Sequence, residues 1–144
     1  LARGKALAVA KNYKNNIIIG ADTIVSHSNK LFGKPSNEQE RIKMLKYLSG
    51  KSHEVITGVA LISLNEGIDH TFNQKTVVKV KTIADEELKL YTENFKGFDK
   101  AGGYGIQDGF SIFIEEIQGC YFNVMGFPLS SFYRHYKNIF KSFH

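Results

Sequence analysis

Apolar residues recur at helical spacing from the first position: Ala2, Ala6, Val9, Ala10 and Tyr13 predict a helix over residues 1 to about 14. The β-branched run Ile17-Ile18-Ile19 predicts a buried strand that continues through Asp22 to His27, closed by a turn at Ser28-Asn29-Lys30. A short segment then reaches Pro35. Ser36 or Asn37 can cap the next helix, whose positive end suits Glu38 and Glu40 and whose core face carries Ile42, Leu45 and Leu48. Gly50 ends it. The nearly continuous apolar run from Val55 to Leu64 predicts a central strand buried on both faces. Residues 76–83 read as its antiparallel neighbour, across the turn at Asn65-Glu66-Gly67. Asp85 to Phe95 reads as a helix with Leu88, Tyr91, Thr92 and Phe95 on one side. A glycine-rich segment follows, then a strand over Phe110 to Ile117. Pro128 opens a last helix whose inner face is Leu129, Phe132, Tyr133, Tyr136 and Phe140. No repeat, low-complexity stretch or linker divides this α/β order, so residues 1–144 form one domain.

Composition narrows the class. A chain of 144 residues buries roughly two-thirds of the surface it exposes when unfolded, enough for one core. With 42% hydrophobic residues, 11 Phe and 7 Tyr, a disordered chain is excluded. The single cysteine, Cys120, rules out an internal disulfide and fits a reducing, cytoplasmic compartment. No apolar run approaches the ~20 residues of a membrane helix, and no signal peptide is visible. The +5 net charge invites a nucleic-acid reading, yet the lysines are scattered, as at Lys43, Lys46, Lys79, Lys81, Lys137 and Lys141. They form no stripe interleaved with stacking aromatics. Neither nucleic acid nor membrane is an expected partner. A positive field suits a small polyanion such as a triphosphate.

Two segments carry candidate chemistry. Gly20-Ala21-Asp22-Thr23 places a carboxylate after an apolar strand, and Gly33-Lys34-Pro35 places an ammonium in a turn beyond it. A carboxylate is costly inside a dry sheet, so Asp22 is expected where the strand opens to solvent. Together the two charges suit a metal-bound polyphosphate, or a surface ion pair. Asp99-Lys100-Ala101-Gly102-Gly103-Tyr104-Gly105-Ile106-Gln107 allows close backbone approach to a ligand, or an accommodating turn. Gln107 offers a donor and an acceptor on one amide, as base reading requires. His53 reads as a strand-entry histidine with a local hydrogen bond, and Cys120 as a packing residue without a helix start nearby. His27, His70 and His135 lack metal-ligand spacing. Asp99 and Lys100 can pair to hold the loop. Asn123 to Pro128 reads as a turn feeding the last helix, where Tyr121 and Phe122 could wall a base pocket.

These motifs, with Leu1-Ala2-Arg3-Gly4-Lys5-Ala6, Leu48-Ser49-Gly50-Lys51-Ser52-His53, Thr57-Gly58-Val59 and Asn123-Val124-Met125-Gly126-Phe127-Pro128, occur in an order that resembles the Maf family of nucleoside triphosphate pyrophosphatases. Thr23 after the aspartate and Gln107 at the end of the glycine segment resemble the branch acting on dTTP and UTP. The 7-methyl-GTP branch has Gln and Glu there. The inosine-triphosphate pyrophosphatase type is a weaker match, since its lysine and acidic motifs are not recognisable.

The resemblance implies a mixed, strongly twisted central sheet flanked by helices, related to the inosine triphosphatase architecture. It implies hydrolysis of dTTP or UTP to the monophosphate and pyrophosphate, with Asp22 as general base or metal ligand. Lys5 and Lys34 would face the phosphates, and Thr23 and Gln107 would read the pyrimidine. A divalent cation is expected, Mg²⁺ or Mn²⁺, as is a homodimer. The family pattern also has an earlier strand, an arginine loop and an acidic residue before the Leu-Ala-x-x-Lys-Ala helix, where this sequence opens. The expectation is therefore a domain truncated at its N-terminus relative to the family, because Arg3, Arg41 and Arg134 offer no substitute. The alternative expectation is a catalytically impaired nucleotide-binding or interaction module.

Overall fold

Alanines at positions 2, 6 and 10 give helix α1 (Ala2–Ala10) a narrow apolar face, and all three are buried. The computed structural model describes residues 1–141, and this face lies on the sheet against Ala60 and Ile62. At Gly20 the approach is so close that a Cβ atom would sit 2.5 Å from the Ala2 carbonyl oxygen. The helix stops at Ala10, short of the predicted 14. Val9 and Tyr13, expected in the core, are exposed because only the four-residue alanine spacing meets the sheet.

Strand β1 (Ile18–His27) turns into β2 (Lys30–Phe32) through Ser28 and Asn29, both left-handed at φ 48° and 66°. Two such residues between paired strands make the tight hairpin turn that matches strand twist. Helix α2 (Glu38–Leu48) follows, and the Asn37 side chain accepts from the Glu40 N–H at 2.8 Å, so of the two predicted caps it is Asn37 that acts. Strands β3 (Ser52–Ser63) and β4 (Ile68–Val80) form a long hairpin, and β5 (Ile114–Gln118) pairs with β4. The strand order is β2-β1-β3-β4-β5. Helices pack on this sheet, as the α/β class requires. Every pairing among the described residues is antiparallel, where a mixed sheet was expected.

The central strand is β3, as predicted. It is buried on both faces from Val59 to Ser63 and alternates before that, because α1 covers the second face only around Gly58, Ala60 and Ile62. Ile17 and Ile19 do not share that burial, being 37% and 47% exposed. Ile19 points away from α1, and β2 pairs only with Val25, Ser26 and His27. The outer edge of β1 before Val25 is thus without a strand partner among the described residues.

Three further elements differ from expectation. Strand β4 begins at Ile68, eight positions before the predicted start at 76. Its first half alternates with polar residues because one face is open. Phe110 to Phe113, predicted as strand, lie in a 3-10 segment (Gly109–Phe113) started by the Asp108 side chain, which accepts from the Phe110 N–H at 2.8 Å. Three residues make one 3-10 turn, so Phe110 and Phe113 both enter the core, whereas a strand would aim them oppositely. They meet Tyr91 of helix α3 (Asp85–Asn94), which also buries Leu88 but leaves Phe95 39% exposed. The predicted turn at Asn123 holds a short helix, α4 (Tyr121–Met125).

The last helix, α5 (Leu129–Phe140), keeps part of its predicted face: Phe140 is buried and Phe132 and Tyr136 are half-buried, while Leu129 and Tyr133 are exposed and Ser131 is buried. His135 also holds the helix, stacking on Phe72 at 4.0 Å between ring centroids and bonding His70 at 2.8 Å. No helix among the described residues is long and apolar enough to cross a membrane.

Candidate active site

Asp22 lies in the middle of β1, opposite Gly58 of β3, on the strand that the sequence predicted to run on to His27. It is tolerated there because its side chain projects toward α1, which supplies a counter-ion, and keeps contact with solvent. The Lys5 ammonium donates to Asp22 Oδ1 at 2.9 Å, and the Asp22 side chain keeps 22% exposure. Side chains alternate along a strand, so Asp22 shares the α1 side with Gly20, while Ala21, Thr23 and Val25 point to the other.

Lys34 follows β2 in an exposed turn. The Gly102 N–H donates to the Gly33 carbonyl at 3.0 Å, which ties this turn to the glycine segment. Gly102 and Gly103 take φ of 75° and 83°, open to glycine without strain. Lys100 bonds Asp99 at 3.3 Å, the pairing the sequence suggested. The Asp99 carboxyl is held below the usual range, first by its own backbone N–H and further by the ammonium groups of Lys100 and Lys34.

Buried groups brace the segment from beneath. Arg41 of α2 is only 1% exposed; its Nε donates to the Gly103 carbonyl at 2.9 Å and one Nη to the Thr92 carbonyl at 3.3 Å. Its guanidinium lies over the rings of Tyr91 and Phe98, at 5.3 and 5.8 Å. The Tyr91 hydroxyl donates to Asp108 at 3.1 Å and accepts from the Gly105 N–H at 3.4 Å. Burial raises the Tyr91 and Tyr104 hydroxyls well above their ordinary range, so both keep their protons. Replacing Arg41 with methionine should therefore cost about 2 kcal/mol, since two buried carbonyls lose donors. Denaturant unfolding measures this. A fully stable Arg41→Met protein would show that the guanidinium braces nothing.

Around the unpaired edge of β1 these elements enclose a cavity of about 230 Å³. Lys5, Asp22, Thr23, Lys34 and Gln107, all five residues singled out in the sequence, line it together with Asp99 and Lys100. Ala21, Val25, Val55, Val124 and Met125 give it an apolar wall. Three ammonium groups face two carboxylates among these lining residues, leaving the cavity with a net positive charge.

Other candidates lie apart. His53 is buried, with Nε2 bonded to the Tyr104 hydroxyl at 2.6 Å, a partner far along the chain and not local. His27 bonds Tyr47. Cys120 stands at the start of α4, a helix start that the sequence did not reveal, outside the cavity lining. Tyr121 and Phe122 are exposed; Val124, Met125 and Gly126 line the cavity in their place. Thr57 and Asn123, both fully buried beneath the cavity, were missed as polar groups of interest. Their sequence signals are membership of the quoted motifs and polarity: Thr57 interrupts the apolar run of β3, and Asn123 sits among aliphatic and aromatic neighbours.

Comparison with known proteins identifies the family. The Maf-like protein family model matches residues 1–139. The dTTP/UTP pyrophosphatase of Bacillus mycoides (strain KBAB4) is 47% identical over 137 residues, which span 95% of this chain and 71% of that protein. The dTTP/UTP pyrophosphatase of Carboxydothermus hydrogenoformans is 46% identical over 134 residues, 93% of this chain and 72% of that protein. Matched along nearly all of its length, the chain belongs to the Maf-like protein family.

Proposed function

We propose that this chain hydrolyses dTTP or UTP between the α and β phosphates, releasing the nucleoside monophosphate and pyrophosphate. The observation that carries this reading is the convergence of Lys5, Lys34 and Asp22 on one cavity that also has an apolar wall. Its closest support from relatives is the activity in the names of the Bacillus and Carboxydothermus proteins.

The negative charge of a triphosphate repels a nucleophile, so neutralisation and positioning dominate such a reaction. Lys5 fixes one oxygen of Asp22, leaving Oδ2 to take a proton from water as its oxygen attacks the α phosphorus. The bond to the bridging oxygen breaks, and the electron pair leaves with pyrophosphate. Lys34, and Lys100 beside it, face the charge that gathers on the leaving group. Thr23 and Gln107 take the base, against Val124 and Met125.

Among the described residues no three metal-ligating side chains cluster. Mg²⁺ commonly uses one or two carboxylates plus substrate phosphates and water. Asp22 fits that donor set, so a divalent cation, Mg²⁺ or Mn²⁺, would rest on the triphosphate and water, and on Asp22 where Asp22 serves as ligand in place of base. When bound, such an ion neutralises phosphate charge. The homodimer and the cytoplasmic setting expected from the sequence belong to the same proposal.

Pyrophosphate release from dTTP, UTP and 7-methyl-GTP, measured with Mg²⁺, tests the reading. Release from dTTP and UTP but not from 7-methyl-GTP is the expected result. Nucleotide binding without release, by folded protein, would support the impaired module instead.

A further inference from the structure

We infer that Thr57 sets the base preference of this cavity by fixing the Thr23 hydroxyl as a hydrogen-bond acceptor. The cavity then selects a base that presents an N–H there, the imide of uracil or thymine, over one that presents a bare ring nitrogen. This rests on the nucleotide reading above and adds to it a residue outside the cavity lining.

Thr57 is wholly buried and stands opposite Thr23 in the β1–β3 register, with 2.9 Å between the two hydroxyl oxygens. Either could donate, judged from that pair alone. The third member decides. Thr57 Oγ1 also lies 3.2 Å from the Asn123 carbonyl oxygen, which can only accept. That carbonyl takes the Gly126 N–H at 3.0 Å and has a second lone pair to offer. A hydroxyl has one proton. Were Thr57 to give it to Thr23, two oxygens would face each other in a dry site with no hydrogen between them. Given to Asn123, it leaves all three members of the relay paired: Thr23 donates to Thr57, and Thr57 donates to the carbonyl.

Asn123 cannot turn away from this duty. Its Nδ2 lies 3.1 Å from the Val55 carbonyl, the Gln74 carbonyl and Thr76 Oγ1, and its side chain has no exposure. The Thr76 hydroxyl in turn donates to the Cys120 carbonyl at 3.0 Å. The hydroxyl protons beneath the cavity thus run toward carbonyls at α4. Thr23 reaches the cavity with its proton already used inward and only lone pairs to present.

Uracil and thymine carry an N–H between two carbonyls, a donor for that lone pair. Cytosine has a bare nitrogen at the same ring position, which repels it. Gln107 offers both a donor and an acceptor, so it adds no bias of its own. Thr57 is therefore a positioning residue that acts through Thr23.

Binding of UMP, CMP and N3-methyl-UMP, measured by calorimetry, tests this in the wild type, Thr57→Val and Thr57→Ser. Valine keeps the shape but frees the Thr23 proton; serine keeps the hydroxyl. The wild type and Thr57→Ser should bind UMP at least about tenfold more tightly than CMP or N3-methyl-UMP. In Thr57→Val the preference for UMP over CMP should collapse toward parity. An unchanged UMP-to-CMP ratio in Thr57→Val overturns the inference. So does loss of the ratio in both variants, equal binding of N3-methyl-UMP by the wild type, or no binding at all. Pyrophosphate release from UTP is read separately. A ratio that follows Thr57 without release would sink the hydrolytic reading alone, and release with an unchanged ratio would sink this one alone.

Discussion

Asp22→Asn is expected to lower pyrophosphate release from dTTP and UTP by about a thousandfold, the usual scale for losing a positioned general base. Its fold should survive. Asparagine has the same shape, and its Oδ1 can still accept from Lys5, which holds Asp22 at 2.9 Å. The Lys5–Asp22 pair is partly exposed, at 58% and 22% for the two side chains, so its Coulombic contribution to stability is small. A melting temperature within about 2 °C of the wild type should accompany the lost turnover. The two readouts together separate a chemical role from a structural one. If the variant turns over at the wild-type rate, another group takes the proton from water. If it unfolds, Asp22 matters to the sheet more than its partly exposed ion pair suggests.

Much of this site was legible because each of its residues sits in a locally encoded element. Asn37 announces α2, Ser28-Asn29 announces the hairpin, and the glycines announce the segment that carries Lys100 and Gln107. Elements governed by distant partners were not legible. The first half of β4 has few apolar residues because its inner face is completed by His135, more than sixty positions later. Phe110 and Phe113 look like strand until the Asp108 cap and the ring of Tyr91 are known. Asp22 was expected where its strand opens to solvent because an unpaired carboxylate is costly in a dry sheet. The Lys5 ammonium that α1 brings onto it is a property of packing, not of local sequence. The Thr23–Thr57–Asn123 relay joins three separate segments by single protons, which no spacing rule encodes.

His53 makes the stability of the fold depend on pH in a window that opens above the carboxylate range. It is 1% exposed, and burial, assisted by the nearby His27, pushes its imidazole down to about 4. Nε2 bonds the Tyr104 hydroxyl, and Nδ1 has no partner among the described residues, so an imidazolium would bury an unpaired N–H. In the unfolded chain the same group titrates near its ordinary 6.5. Above that value both states hold a neutral ring, and its full contribution to stability is present. As pH falls from 6.5 toward 4, the unfolded chain gains a proton that the folded chain refuses. Stability should then decline by about 1.4 kcal/mol per pH unit, about 3 kcal/mol in all, and this decline stops once the folded ring protonates too. His135, lowered mainly by burial and then by His70 and Arg134, acts with the same sign, so it needs its own control. Urea unfolding between pH 7 and 4 should show a shallower pH slope in His53→Gln than in the wild type or His135→Gln. Equal slopes in wild type and His53→Gln would mean that His53 takes up its proton inside the folded protein. The Tyr104 hydroxyl, which lies against the cavity that holds Asp22, would then face a charged ring with no effect on the fold.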